Sequence, residues 1–347
     1  MILRFLFAFF AGALACASAK DTTPGPQWEK VKPEQVGLNE KKLKQYAERV
    51  KGDGCIVRYG KMAYQWGDVK SSRDWASASK PVLSTMLLFG VEHRIIDSVH
   101  TPIAQYGWPL RGDDVGITFR QLACMTSGYA CEEGPGIAWA YNDYGIELFA
   151  QSLERAFGRS LNEAAKDFMA PLQFQDGRAF GSRRGHGCTL SPRDMARLGW
   201  FWLNEFKWGD HRLISHRLFT RNIKVGVPTD LPRSASTKAD DYLEVDTYGG
   251  GVNQTPWGPG CYGFAFWFNG QLANGERVWP AAPSDAFQAN GIWNRDTVTM
   301  YPSLDMVVVV SMARKPGKFQ PGVVEGAANQ NMKLLMDAVV GDRPKRW

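Results

Sequence analysis

A buried helix with a polar head is written into Ser77-Ala78-Ser79-Lys80-Pro81-Val82-Leu83-Ser84-Thr85-Met86-Leu87-Leu88. Val82, Leu83, Met86, Leu87 and Leu88 recur at the i, i+3, i+4 spacing of a core-facing helix. Ser77 and Lys80 stand three residues apart, the spacing that brings two helical side chains onto one face, so the amine can reach the hydroxyl. A serine hydroxyl is a weak nucleophile until a base takes its proton, and a lysine serves as that base when burial lowers its pKa. The same letters also describe a helix cap followed by a solvated lysine. The choice between them rests on the rest of the chain.

The 347 residues are 44% hydrophobic and 22% charged, the balance of a globular enzyme with one large or two interleaved lobes rather than of a disordered or fibrous chain. At the start, Arg4 precedes a continuous apolar run from Phe5 to Ala15, and Ala17-Ser18-Ala19 forms an A-x-A cleavage signal. Residues 1–19 are therefore expected to be an export leader cleaved before Lys20, which predicts a periplasmic or secreted protein. Lipoprotein anchoring at Cys16 is the alternative, with Ala13 where a large aliphatic residue is usual. The apolar run is too short for a membrane span, and no later stretch is long and apolar enough for one. Removing the leader takes away only Arg4, so the net charge falls from +6 to +5. Apart from Arg183-Arg184 the basic residues are scattered and no nucleic-acid motif accompanies them, so solvated surface is expected.

Cys55, Cys124, Cys131, Cys188 and Cys261 remain after the leader, an odd number that leaves at least one free thiol. No C-x-x-C pair and no H-E-x-x-H occurs among them and the histidines, so neither metal nor cofactor is expected. Export and the turn Thr126-Ser127-Gly128 between them predict a Cys124–Cys131 disulfide.

Along the chain, residues 21–32 form an irregular lead-in rich in proline and glycine. Asn39 caps a helix whose buried stripe is Leu43, Tyr46, Ala47 and Val50. Cys55 to Tyr59 and Met62 to Trp66 flank Gly60-Lys61 as a β-hairpin. Paired helices are expected over Asn142 to Gly158 and Leu161 to Met169, and Ser191 with Pro192 starts another. Lys224 to Gly260 is polar and glycine-rich, a lid or binding loop or else a disordered insertion. Strands follow at Tyr262 to Phe268, Glu276 to Trp279, Ala286 to Ala289, Thr297 to Tyr301 and Met306 to Ser311. A final amphipathic stretch, Ala327 to Val340, turns Leu334, Leu335, Ala338 and Val339 to the core. The thirteen tryptophans line a cleft or fill the core.

Four further motifs accompany Ser77 and Lys80: Thr126-Ser127-Gly128; Tyr141-Asn142-Asp143; Gly185-His186-Gly187 running into Ser191-Pro192-Arg193-Asp194-Met195-Ala196-Arg197-Leu198-Gly199; and Ala289-Asn290-Gly291. With these the chain resembles the serine β-lactamase and penicillin-binding-protein superfamily from about Val36 to about Ala338. The likeness is to its class C-like esterases, D-peptidases and amide hydrolases of the 6-aminohexanoate-dimer type. The resemblance implies an α/β (α+β) fold in which an antiparallel sheet from both chain ends, about 36–76 and 261–340, is flanked by helices. A helical lobe, about 82–225, is inserted, and a polar loop spans about 225–260. It implies Ser77 as the acylated nucleophile, with Lys80 and Tyr141 as its proton-transfer partners. Asp143 departs from the family's asparagine, since an anion there favours a charged Lys80 and a poorer base.

The third motif lacks its lysine. By resemblance Asn290, Gly291 and Ile292 meet the substrate, with the N–H groups of Ser77 and Ile292 as oxyanion donors. A glycine at a strand edge explains Gly291 equally well. The expected activity is hydrolysis of a small ester or amide; β-lactam or D-peptide hydrolysis, or a catalytically inactive binding protein on the same fold, are the alternatives. The lost lysine leaves Arg295 as the cation nearest in sequence for a substrate carboxylate.

Overall fold

The computed structural model describes residues 23–181, 187–236, 238–247, 255, 257–272, 274–291, 294–312 and 321–340, the last with side chains from 328 onward. The leader, Arg183-Arg184, Gly185-His186 and Gly249-Gly250-Gly251 lie outside them.

The N-terminal half of the sheet is built from local signals. Asn39 accepts the Lys42 N–H at 3.0 Å and starts α1 (Glu40–Val50), whose buried face is Leu43, Tyr46, Ala47 and Val50. The hairpin β1 (Asp53–Arg58) and β2 (Lys61–Trp66) follows as expected. β3 (Arg73–Asp74), β4 (Ala179–Phe180) and β5 (Cys188–Leu190) make a small separate sheet in the order β3-β5-β4. The helical lobe holds α2 (Lys80–Glu92), α3 (Phe119–Ala123), α4 (Asp143–Phe157), α5 (Leu161–Phe168) and α6 (Pro192–Leu203). A short hairpin, β6 (Lys207–Trp208) with β7 (His211–Arg212), and α7 (His216–Leu218) close it. The chain then returns to the sheet with β8 (Tyr262–Gly263), β9 (Phe266–Phe268), β10 (Phe287–Gly291), β11 (Asp296–Tyr301) and β12 (Met306–Ser311), and ends in α8 (Pro321–Asp337).

Among the described residues the main sheet is antiparallel throughout, in the order β2-β1-β12-β11-β10-β9-β8. β1 pairs with β12, Asp53 opposite Ser311 and Arg58 opposite Met306, so both ends of the chain meet in its middle. α1 and α8 cover one face and α6 the other. α6 comes so close that a Cβ on Gly199 would stand 2.6 Å from Val307 Cγ1 and 2.7 Å from Val298 Cγ1. α2 is buried from Lys80 to Gly90, apolar all round rather than striped, which is what a helix enclosed by sheet and helical lobe requires.

Two expected strands come out differently. Tyr262 to Phe268 is a hairpin, β8 and β9, broken by Phe264 and Ala265 at φ 49° and 63°. Glu276 to Trp279 is a loop: Asn269, 1% exposed, accepts the Trp279 N–H and donates to Trp279, Ala282 and Pro283 carbonyls, so Val278 and Trp279 are buried without a ladder. The Cys124–Cys131 bridge is absent. Both are free thiols, Cys124 buried beside the Phe264 backbone and Cys131 accepting from Asn142 Nδ2 at 3.6 Å, so the turn sends them to different neighbours.

Candidate active site

Ser77 lies in a single 3-10 turn, Ala76–Ser79, that leads directly into α2. With three residues per turn, side chains i and i+3 eclipse, which aligns Ser77 with Lys80 more closely than an α-helix would. Lys80 Nζ donates to Ser77 Oγ at 2.7 Å. The turn is anchored from below: Trp75, fully buried, donates Nε1 to Leu190 O at 2.9 Å, and Asp74 Oδ1 accepts the Ala76 N–H at 2.9 Å. Ala76 itself is left-handed at φ 46°, a strained position directly before the nucleophile. Ser79, the neighbouring candidate, is 0% exposed and its Oγ accepts the Cys188 N–H at 2.9 Å, a structural tie to β5.

Lys80 is 2% exposed. Its Nζ also pairs with Asp143 Oδ1 at 3.1 Å and lies 5.0 Å from the centre of the Tyr141 ring. Burial opposes the ammonium, but the Asp143 carboxylate and then the Tyr141 phenol outweigh it, so Lys80 is held above the usual lysine range. The structure thus brings together Ser77, Lys80, Tyr141 and Asp143, and puts Asp143 on the lysine rather than on a substrate. Asn142, between the two, caps α4 by accepting the Tyr144 N–H at 3.0 Å and the Gly145 N–H at 3.3 Å, and so sets where Tyr141 and Asp143 point.

Gly291 ends β10 against the nucleophile turn. A Cβ there would meet Trp75 O at 2.7 Å and Ala78 N at 2.9 Å, both backbone, so only glycine permits the approach. Asn290 does not join the site. Its Nδ2 donates to Gln288 Oε1 and Asn294 Oδ1, each at 2.6 Å, and its Oδ1 accepts the Asn294 N–H at 2.9 Å. Side chains alternate along a strand, so while Gly291 faces Ser77, Asn290 turns to the opposite side of the sheet. Ile292 lies outside the described residues. Arg295 sits on the turn beyond, its N–H donating to Gly291 O at 3.2 Å.

Beside Tyr141 stands an aromatic wall that the sequence did not single out. The Trp267 ring stacks on Tyr141 at 5.9 Å and 22°, and Tyr262 meets it edge-on at 6.2 Å and 81°. Trp139 and Trp257 pack against the same Trp267. Alternation around Tyr262 and Trp267 was a signal for a strand, not for a site. Described residues of the 225–260 loop pack here, Trp139 N donating to Pro232 O and Ser234 N to Trp139 O, each at 2.8 Å. Among the described residues no group of three His, Cys, Asp or Glu side chains could hold a metal ion, and no helix is long and apolar enough to cross a membrane.

A family model described as Beta-lactamase matches residues 55–328, which span strands β1 to β12 and every residue of this site. The chain belongs to the beta-lactamase family. Solved structures agree on the fold of this beta-lactamase-family chain. A beta-lactamase from Mycobacterium bovis is 17% identical over 83% of this chain and 95% of its own, with a TM-score of 0.58. A protein assigned as a 6-aminohexanoate-dimer hydrolase from Bacillus anthracis is 17% identical over 90% and 88%, with a TM-score of 0.60. A beta-lactamase/D-alanine carboxypeptidase from Yersinia pestis is 17% identical over 85% and 97%, with a TM-score of 0.57. No curated protein sequence matches. The family is one of serine hydrolases on this fold.

Proposed function

We propose that this chain is an exported serine hydrolase that cleaves a small uncharged ester or amide through an acyl-enzyme on Ser77. The observation that carries the reading is the 2.7 Å hydrogen bond from buried Lys80 Nζ to Ser77 Oγ. Ser77 Oγ bonds to the substrate carbonyl carbon as its proton passes to a base, and the carbonyl oxygen takes the negative charge. Collapse of that adduct breaks the ester or amide bond, the leaving group takes the proton, and water repeats the sequence to free Ser77. Because Asp143 favours a charged Lys80, the lysine acts as a donor to Oγ and Tyr141 is the base. The same pairing of Lys80 with Asp143 favours the second reading, an inactive binding protein. An active-site-directed fluorophosphonate separates the two: an adduct on Ser77 supports the hydrolase, and an unlabelled, folded protein supports the binding protein.

A further inference from the structure

Tyr262 and Trp267 are register partners across the two-residue turn Phe264-Ala265. Both turn residues carry positive φ, 49° and 63°, a conformation unfavourable to any residue with a Cβ. The turn is held by the fully buried Phe264 and by the Ala265 N–H, which donates to Ala123 O at 2.9 Å. What this strained hairpin delivers is the Tyr262 ring, 4.7 Å from Trp267 and edge-on to Tyr141. Tyr262 is 0% exposed, and its hydroxyl has no hydrogen-bond partner among the described residues. A buried hydroxyl without an acceptor destabilises the fold, and phenylalanine would keep the shape without that penalty. Nothing in the acylation chemistry above uses this group. Yet its ring meets, edge-on at 6.2 Å, the ring of Tyr141, the side chain that must carry negative charge to act as the base. A buried donor without an acceptor, next to a side chain that must hold negative charge in order to act, is the arrangement of a preorganised stabiliser.

We propose that Tyr262 is a positioning residue of the proton-transfer step, its hydroxyl supporting the negative charge that Tyr141 carries when it takes the Ser77 proton. The inference rests on the reading of Ser77 as nucleophile and Tyr141 as base. The step balances simply: the Tyr141 phenolate oxygen takes the Ser77 proton as the Oγ–carbon bond forms, gives it to the leaving oxygen or nitrogen, and is a phenolate again. Tyr262 keeps its proton throughout, because burial first, and then the charges on Tyr141, Cys124 and Asp143, hold its phenol far above the usual range. Among the described residues, Lys80 from α2 lies over the Tyr141 ring, Asp143 from α4 pairs with that lysine, and Tyr262 from β8 meets the ring edge-on, with Cys124 acting on Tyr262. A neutral donor beside a charge-bearing oxygen favours its charged form.

The test is Tyr262→Phe, which removes only the unpaired oxygen. With a neutral ester, kcat at pH 7 should fall about tenfold, less than the roughly 100-fold of a donor lost at the reacting oxygen itself. KM should hold, and the ascending limb of the pH–rate profile should move up by about one unit. The midpoint of thermal unfolding should not fall. A profile that stays in place overturns the proposal, whether the protein is stabilised, which marks an idle buried hydroxyl, or destabilised with equal loss at every pH, which marks a structural one. A second measurement is independent of turnover. In protein carrying 13Cζ-tyrosine, the Tyr141 resonance, assigned with Tyr141→Phe, should ionise at higher pH in Tyr262→Phe than in the wild type; an unmoved titration counts against the proposal even if the protein hydrolyses nothing. Wild type that is inactive and unlabelled at Ser77 would defeat the hydrolase reading alone, and the titration would still decide whether Tyr262 supports the Tyr141 charge.

Discussion

At Lys80 two opposed effects meet, burial that disfavours an ammonium and a carboxylate at 3.1 Å that favours it, and the carboxylate prevails. Lys80 therefore stays charged across the neutral range, and its contribution to stability is lost only as pH rises through its elevated folded pKa, far on the alkaline side. Mass spectrometry after fluorophosphonate labelling should find the adduct on Ser77; Ser79, whose Oγ is occupied by the Cys188 N–H, should stay unmodified. An adduct on Ser79 would overturn the assignment. Lys80→Ala and Tyr141→Phe should each lower kcat, and the double variant should lose less than their sum in free energy, because the two groups serve one proton transfer. Full additivity would mean that they act separately. That Ser77 and Lys80 meet was legible from their spacing, and that Tyr141 joins them from the family's second motif. The orientation of Asn290 was not, since it depends on which face of β10 meets the nucleophile turn.

The elements that local chemistry specifies came through the sequence almost to the residue: α1 behind Asn39, the β1–β2 hairpin, and α5 from Leu161. The β8–β9 hairpin was hidden because its turn uses Phe264 and Ala265, neither a turn residue, and is imposed by tertiary packing. α6 shows the same dependence. Arg197 is 0% exposed and donates to Leu172 O at 2.9 Å and to Gly25 O and Pro26 O at 2.8 and 3.0 Å, between the rings of Trp28 and Trp208. It docks the irregular lead-in onto the helix, which the motif S-x-x-D-x-A-R-x-G does not reveal. Arg197→Ala should destabilise by about 3–5 kcal/mol, the usual range for breaking a buried charged pair, since it removes the donor to three carbonyls and the cation facing buried Asp194. A denaturant midpoint unchanged from wild type would show that the lead-in is not held this way. Gly291→Ala should cost about 100-fold in kcat, since a Cβ against Trp75 O shifts the nucleophile turn by a fraction of an ångström to an ångström; wild-type kcat would show that the strand yields instead.

Two predictions belong to the whole molecule. If residues 1–19 direct export, N-terminal sequencing of the secreted or periplasmic protein should begin at Lys20, and a mature protein retaining Met1 would remove that part of the proposed function. The other concerns which substrates the assembled cleft accepts. Lys80 is already paired with Asp143, and Asn290 is committed to Gln288 and Asn294 on the far side of the sheet. A substrate carboxylate entering beside Gly291 therefore meets no third-motif lysine, and losing even one charge-assisted hydrogen bond of about 1.5–3 kcal/mol weakens binding by about tenfold or more. Arg295, on the turn after β10, is the cation nearest Gly291 in the chain. A short-chain p-nitrophenyl ester should thus show a higher kcat/KM than a chromogenic cephalosporin. A cephalosporin turned over faster than the ester, with the advantage abolished by Arg295→Ala, would show that the cation of the third motif has moved along the chain rather than vanished, and that β-lactams are this cleft's substrates.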